Sequence, residues 1–412
     1  MLKKFFISTI LVILTSFYLF PVSFSFLPEA VNTKMILAGF GIVAFLYDGM
    51  ERKSFSVPHP LLYAGILALI FSLWCFFCVT ENGTDDMSYA NYWVSFFTWV
   101  LGAYGVFFLI RTMTGKFDLK ILTFYLTLVC VAQCILAECI DNIPRVQRFV
   151  DSFFVQGQEF YHEVKRLYGI GASLDPAGVR FSAVLLLVGH QLASNNGRGV
   201  TIFYIISFFV VTIIGSIIAR TTWVGAIMGL AYVLVVNLRT RQGAINSNQV
   251  RFWAIFWGLT LLTVIICVIF YRTNLVFRNN LRFGFEGFFN WAETGVFRTD
   301  SMDKLNRVMW VWPTDTRSWI IGKGLFDNFV FATDIGYCRF TLYCGLFGLG
   351  LFSLFFLYNG YSFIHRYPQF ILLGLLLIVL TFAIWVKVAT DIFFIYALLF
   401  WLQEEECTSS TT

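Results

Sequence analysis

The sequence predicts an all-α polytopic integral membrane protein with about twelve transmembrane helices and two long extramembrane loops that carry short amphipathic helices. Three observations lead there. Of 412 residues, 58% are hydrophobic and 13% charged, with 49 Phe and a mean hydropathy of +0.75, more apolar surface than a soluble core hides. Apolar runs of membrane-spanning length recur from one end of the chain to the other. The basic residues of the short connections fall on alternate connections, as the positive-inside bias requires. A soluble enzyme, a nucleic-acid binder, a disordered chain and a single-span receptor are excluded. The formal charge of +5 is modest, and its placement matters more than its sum.

Taken in order, residues 1–138 hold five spans, near 5–27, 33–48, 60–79, 91–111 and 119–138. The first follows Lys3 and Lys4, and with no small-x-small cleavage site after it, it reads as an uncleaved span. A first long loop occupies 139–178. Four spans follow within 179–271, near 179–194, 199–218, 221–238 and 250–271; a second long loop covers 272–334; and 335–412 holds three spans, near 335–358, 369–386 and 389–402, and a solvated tail. Arg52, Lys53, Arg111, Lys116, Lys120, Arg198, Arg239, Arg241, Arg251 and Arg366 then share one side with Lys3 and Lys4, which is expected to be the cytoplasm together with both termini. The acidic run Glu81-Asn82-Gly83-Thr84-Asp85-Asp86 falls on the other side.

Both long loops lie on that outer side, and their helix-like aromatic spacing (Val146, Phe149, Val150, Phe153; Phe160, Tyr161, Val164, Leu167) predicts short helices along the membrane surface. The nine cysteines mostly sit inside apolar runs as small hydrophobes, Cys75 and Cys78 included, so neither a redox nor a zinc site is read from them.

The outer side also holds cations that the positive-inside bias does not explain: Arg166, Arg180, Arg220, Arg272, Arg278, Arg282, Arg298, Arg307, Arg317 and Lys323. Arg220 sits between two apolar runs with almost no loop, and a cation there is costly unless it snorkels to the headgroups or is paired. Guanidinium forks match the oxygens of a phosphate or pyrophosphate, and Tyr161, Tyr168, Trp291, Trp310, Trp312 and Trp319 offer faces to sugar rings or simply form an interfacial belt.

Three segments resemble the O-antigen polymerase and O-antigen ligase superfamily of bacterial envelope glycosyltransferases. Ser216-Ile217-Ile218-Ala219-Arg220-Thr221-Thr222 is similar to its Ser-x-x-Arg-Ser/Thr segment. Arg307-Val308-Met309-Trp310 with Ile321-Gly322-Lys323-Gly324 looks like its Arg-x-x-x-Trp and Gly-x-Gly run. Thr333-Asp334-Ile335-Gly336-Tyr337 followed by Tyr343-Cys344-Gly345-Leu346-Phe347-Gly348 enters the next span as the family does. The likeness covers about residues 166–360. Where ligases carry a His-Asn pair this chain has Thr333-Asp334, which looks more like the polymerase form.

The resemblance implies a GT-C-like fold in the bacterial inner membrane and a metal-independent glycosyl transfer with no cofactor. The partners implied are an undecaprenyl-pyrophosphate-linked glycan donor and acceptor, the lipid bilayer and a chain-length regulator, with no nucleic acid. Arg220 and Arg307 are expected on the pyrophosphate, with Arg180 and Arg282 as second choices, and with Arg166, Lys323 and Trp310 also in the substrate site. Asp334 is read either as the group that positions or deprotonates the acceptor or as a helix N-cap. His162, in the first long loop, reads as an exposed histidine or a spatial substitute for the missing one. Transfer to a lipid A-core acceptor by a ligase, and a flippase or transporter of lipid-linked sugars, are the alternatives.

Overall fold

The computed structural model describes residues 2–28, 31–163, 166–194, 197–239, 247–326 and 328–403. Arg241, Val164 and the tail from Cys407 to Thr412 lie outside them, as do the side chains of His162 and Arg251.

Five helices come first: α1 (Leu2–Leu19), α2 (Thr33–Arg52), α3 (His59–Asn82), α4 (Tyr92–Thr114) and α5 (Leu119–Asn142). Their ends are written locally. Asn32 and Asp118 accept backbone N–H bonds from Met35 and Ile121, capping α2 and α5, and glycines in the left-handed region close α3 and α4. The first long loop contains α6 (Pro144–Phe153) and α7 (Gln158–Glu163). Then come α8 (Leu174–Ala193), α9 (Arg198–Ile218), α10 (Thr222–Arg239) and α11 (Ser247–Thr273). Short helices fill the second long loop: α12 (Leu275–Gly284), α13 (Glu286–Thr294), α14 (Asp300–Arg307), α15 (Thr316–Ile321) and α16 (Asn328–Phe331). The chain ends through α17 (Gly336–Arg366), α18 (Ile371–Ile384) and α19 (Phe393–Leu399).

This is an all-α polytopic membrane protein: among the described residues eight helices are long and apolar enough to cross a bilayer, namely α2, α3, α4, α5, α8, α9, α11 and α17. Shorter apolar helices run over Phe6–Leu19, Thr222–Leu238 and Pro368–Ile384. The surface is suited to lipid. On α3, Leu62, Tyr63, Ile66, Leu69 and Leu73 are exposed, and α11 is apolar with little of its surface covered by protein.

The helices pack in pairs whose contacts give their direction. Hydrogen bonds and close approaches between α2 and α4 advance together, from Lys34 against Gly102 to Asp48 against Tyr104 and Arg111, so the two run parallel. Between α8 and α10 the same ladder runs from Gly178 against Thr222 through Ser182 against Gly225 to His190 against Tyr232. Along α3 and α17 it runs in reverse, with Trp74 on the Cys344 carbonyl, Phe71 stacked on Phe352 and Tyr63 against Tyr358.

Several spans differ from expectation: α8 starts at Leu174 rather than 179, α17 runs on to Arg366 rather than 358, and two others fall short. The first helix ends at Leu19 rather than near 27, because Pro21 has no N–H to continue it and the strand β1 (Ser23–Phe24) leaves to pair antiparallel with β2 (Phe154–Val155) of the first long loop. The last, expected over 389–402, is helical only over Phe393–Leu399. The preceding stretch from Trp385 to Ile392 is not helical, and its freed backbone groups find other partners: the Trp385 carbonyl accepts from Tyr337 N–H, Thr390 O accepts from Trp385 Nε1, and the Asp391 carboxylate accepts from Phe393 N–H.

Candidate functional site

The connections expected on the outer side meet one another at one end of the bundle, and they bring charge with them. Asp175 in the first turn of α8 accepts from Thr221 Oγ1 at 2.7 Å and from Lys387 Nζ at 3.0 Å, joining the α8 start, the α9–α10 hairpin and the α18–α19 break. The Arg317 guanidinium reaches Glu81 across the α3–α4 connection at 3.0 Å. The other connections meet at the opposite end, where Arg366 donates to the Phe400 carbonyl, Tyr367 to Leu402, and Phe117 and Gln403 bond each other.

Arg220 is the centre of the first end. Its Nε donates to the Phe283 carbonyl at 3.1 Å and Nη1 to Ser301 Oγ at 3.1 Å, while Nη2 pairs with Glu286 at 2.6 Å. The side chains of Arg220 and Glu286 are only 16% and 19% exposed, so this pair is shielded from water. Arg220 also stacks on the Phe283 ring at 4.1 Å, and Arg166 from the other long loop stacks on the same ring at 4.5 Å. Like charges brought together on one ring repel. Burial and Arg220 both push the Arg166 guanidinium below its ordinary value, while Asp175 holds it up. Among the described residues Arg166 makes no ion pair.

Arg166 and Phe283 face a cavity of about 490 Å³ whose polar lining includes Asp141, Gln147, Asn279 and Asn280. The wall of this cavity is built from α5, the first long loop, α9 and α12. It can take a polar ligand of several rings' breadth with Arg166 as its cation.

The remaining expected residues separate into groups. Arg307 is exposed at the end of α14, whose Ser301 bonds Arg220, so it stands roughly 9 Å further along the same helix. Arg282 is held by Glu293 at 2.7 and 2.9 Å and by the Tyr271 hydroxyl at 3.2 Å, a surface arrangement complete in itself. Lys323 lies over the Phe331 ring at 5.6 Å, and its backbone N–H bonds the Leu342 carbonyl, fixing the Gly322-Lys323-Gly324 turn against α17. Trp310 stacks on Trp312, and Trp312 on Trp319, giving a ladder of three indoles with two of them exposed. Asp334 is half-buried. The N-cap of α17 is Ile335, so Asp334 stands one residue ahead of the cap position, behind Thr333, whose hydroxyl bonds the Met309 carbonyl.

Arg180 is not with Arg220. It lies deeper, on α8 beside Asp391 and the Trp99 ring's neighbourhood, in a recess treated below. Lys34, Asp175, Glu286, Lys387 and Asp391 were missed in the sequence. The signal for the last two was present: a lysine and an aspartate break the otherwise apolar run from 369 to 402. Among the described residues no three His, Cys, Asp or Glu side chains are grouped to hold a metal ion.

No family model matches the chain, and neither a curated protein nor a solved structure matches it.

Proposed function

We propose that this chain is a glycosyltransferase of the bacterial inner membrane, with twelve spans and both termini in the cytoplasm, that polymerises undecaprenyl-pyrophosphate-linked oligosaccharide units at the outer face. The observation that carries the reading is the pair Arg166 and Arg220 stacked on one phenylalanine ring of the second long loop, beside a cavity with a partly polar lining. A flippase would need such cations along a path through the bundle. Here Arg220 is capped by α13 and α14 through Glu286 and Ser301, which favours a site that works at one face.

In this reading a hydroxyl of the acceptor sugar attacks the anomeric carbon of the donor, the bond from that carbon to the pyrophosphate oxygen breaks, and its electron pair leaves with the pyrophosphate. The hydroxyl proton passes to a carboxylate, for which Asp334 remains our candidate. Arg166 supplies an uncommitted fork for the developing charge, and Arg220, already oriented by three partners, supplies the second. Arg307 would join them if α14 shifts on binding. The indole ladder of Trp310, Trp312 and Trp319 offers a platform for sugar rings at the rim. A chain-length regulator is the protein partner this reaction calls for.

The test is the gel profile of surface glycans from cells lacking the gene, complemented with the wild type or with Arg166→Ala, with membrane insertion verified for each. Loss of the ladder with single repeat units still on their acceptor is the expected result. Loss of all units from the acceptor would turn the reading to a ligase, and an unchanged profile in the deletion strain would overturn both.

A further inference from the structure

A second charged group lies deeper than the Arg166–Arg220 pair, where the unwound stretch from Trp385 to Ile392 passes between α4 and α8. Arg180, Thr390 and Asp391 line a recess of about 80 Å³ whose other walls are Trp99, Val179 and Phe394. Lys34 lies over the Trp99 ring at 4.3 Å and is within electrostatic reach of both Arg180 and Asp391. Among the described residues neither cation makes a direct ion pair with Asp391. The Arg180 Nε is buried without a hydrogen-bond partner, and so is the Tyr92 hydroxyl, which stands close to Asp391.

Buried charges kept apart around an open space are expensive, and an orphaned guanidinium N–H adds to the cost. Two cations against one carboxylate leave a charge of about +1 for a ligand to neutralise. A monoanion matches that sum, whereas a dianion would be repelled by Asp391. The recess is small, with Arg180 and Thr390 as its lining side-chain donors and Lys34 beside it over Trp99, so it has few donors for the extra oxygens of a phosphate. One oxygen of Asp391 already accepts the Phe393 N–H at 2.8 Å and the Tyr92 hydroxyl faces the same carboxylate, which keeps lone pairs to accept from a hydroxyl on the ligand.

We infer that this recess binds the carboxylate of an acidic sugar, with Arg180 and Lys34 on the carboxylate and Asp391 on a neighbouring hydroxyl. The carboxylate stands on the geometry alone, and its source in a sugar rests on the glycosyl-transfer reading. The site would then select repeat units that contain a uronic acid.

The experiment is thermal unfolding and calorimetric titration of the purified full-length protein in detergent with sodium glucuronate, against glucose, octanoate and inorganic phosphate at matched ionic strength. Glucuronate is expected to raise the unfolding midpoint and to bind. Arg180→Gln and Lys34→Gln should each weaken that binding by about tenfold or more, and Arg298→Gln, a surface control, should leave it unchanged. Asp391→Asn should tighten carboxylate binding, since it removes the one repelling charge, and this variant decides the matter if the other two do not fold. Stabilisation by phosphate but not glucuronate, or glucuronate binding indifferent to all three recess substitutions, would overturn the site. Binding of octanoate without glucuronate would overturn the sugar and leave the glycosyl-transfer reading to the glycan profile.

Discussion

Arg220 is held by an ion pair, so any test of its proposed role has to separate reaction from stability. Its ion pair with Glu286 is shielded, so Arg220→Ala leaves a carboxylate uncompensated and is expected to cost about 3 kcal/mol of stability. Loss of activity in that variant would therefore say little. The double variant Arg220→Met with Glu286→Leu removes both charges and fills their space, and should recover most of the lost stability by thermal unfolding while remaining inactive in the glycan assay. Recovery of the ladder in the double variant would demote Arg220 to a structural role. Arg166→Ala is the complementary case: with no ion pair to break among the described residues, it should lose activity with little change in unfolding midpoint.

Among the elements, α8 and α10 pack closely, and their packing depends on glycine. A Cβ on Gly225 would lie 2.1 Å from the Ser182 Cα, and one on Gly229 would lie 2.7 Å from the Leu185 carbonyl, so the pair Gly225 and Gly229, four residues apart, lets the backbones meet. Gly225→Val is expected to force the helices apart and to lower the yield of folded protein in size-exclusion chromatography more than Gly258→Val, whose site opens to empty space. The helix α17 has a different device. Gly345, at φ +70° inside the helix, kinks it so that the Ile320 carbonyl of α15 can approach; Gly345→Ala would put a Cβ 1.9 Å from that oxygen and unseat the second long loop. Helix positions were legible in the sequence because a run of apolar residues long enough to span leaves few alternatives. The end of α1 was not, since a strand pairing with Phe154 and Val155 is a contact between distant segments. Nor was the α18–α19 break, which a hydropathy average smooths over although Lys387 and Asp391 interrupt it. Of the candidate site, Arg166 and Arg220 could be named from sidedness, but their common ring, Phe283, and the counter-ion Glu286 could not, because no local pattern ties residue 220 to residues in a loop beyond another helix.

For the whole molecule, the side on which the second long loop lies relative to the α2–α3 connection turns on α10. Its apolar part, Thr222–Leu238, is shorter than the eight helices that qualify by length and composition, at about 25 Å of rise. Yet it runs parallel to α8 over the full ladder from Gly178 against Thr222 to His190 against Tyr232, and α8 is long enough to span. A helix laid alongside a spanning helix for its whole length is expected to cross with it, the slight shortfall being within what local thinning of the bilayer accommodates. The consequence is a parity. Between Glu51, exposed at the end of α2, and Asn306, exposed on α14, the chain would cross an odd number of times with α10 included and an even number with only the longer helices. Glu51→Cys and Asn306→Cys, each labelled in intact cells with a membrane-impermeant maleimide and corrected for the unsubstituted chain, should therefore respond oppositely: Asn306→Cys is labelled at once and Glu51→Cys only after permeabilisation. Labelling of both from the same side would mean that α10 turns back within the membrane. It would also put Glu81 and Arg166, one and three crossings on from Glu51, on the face opposite to the second long loop, against the contacts that tie them to it through Arg317 and Phe283.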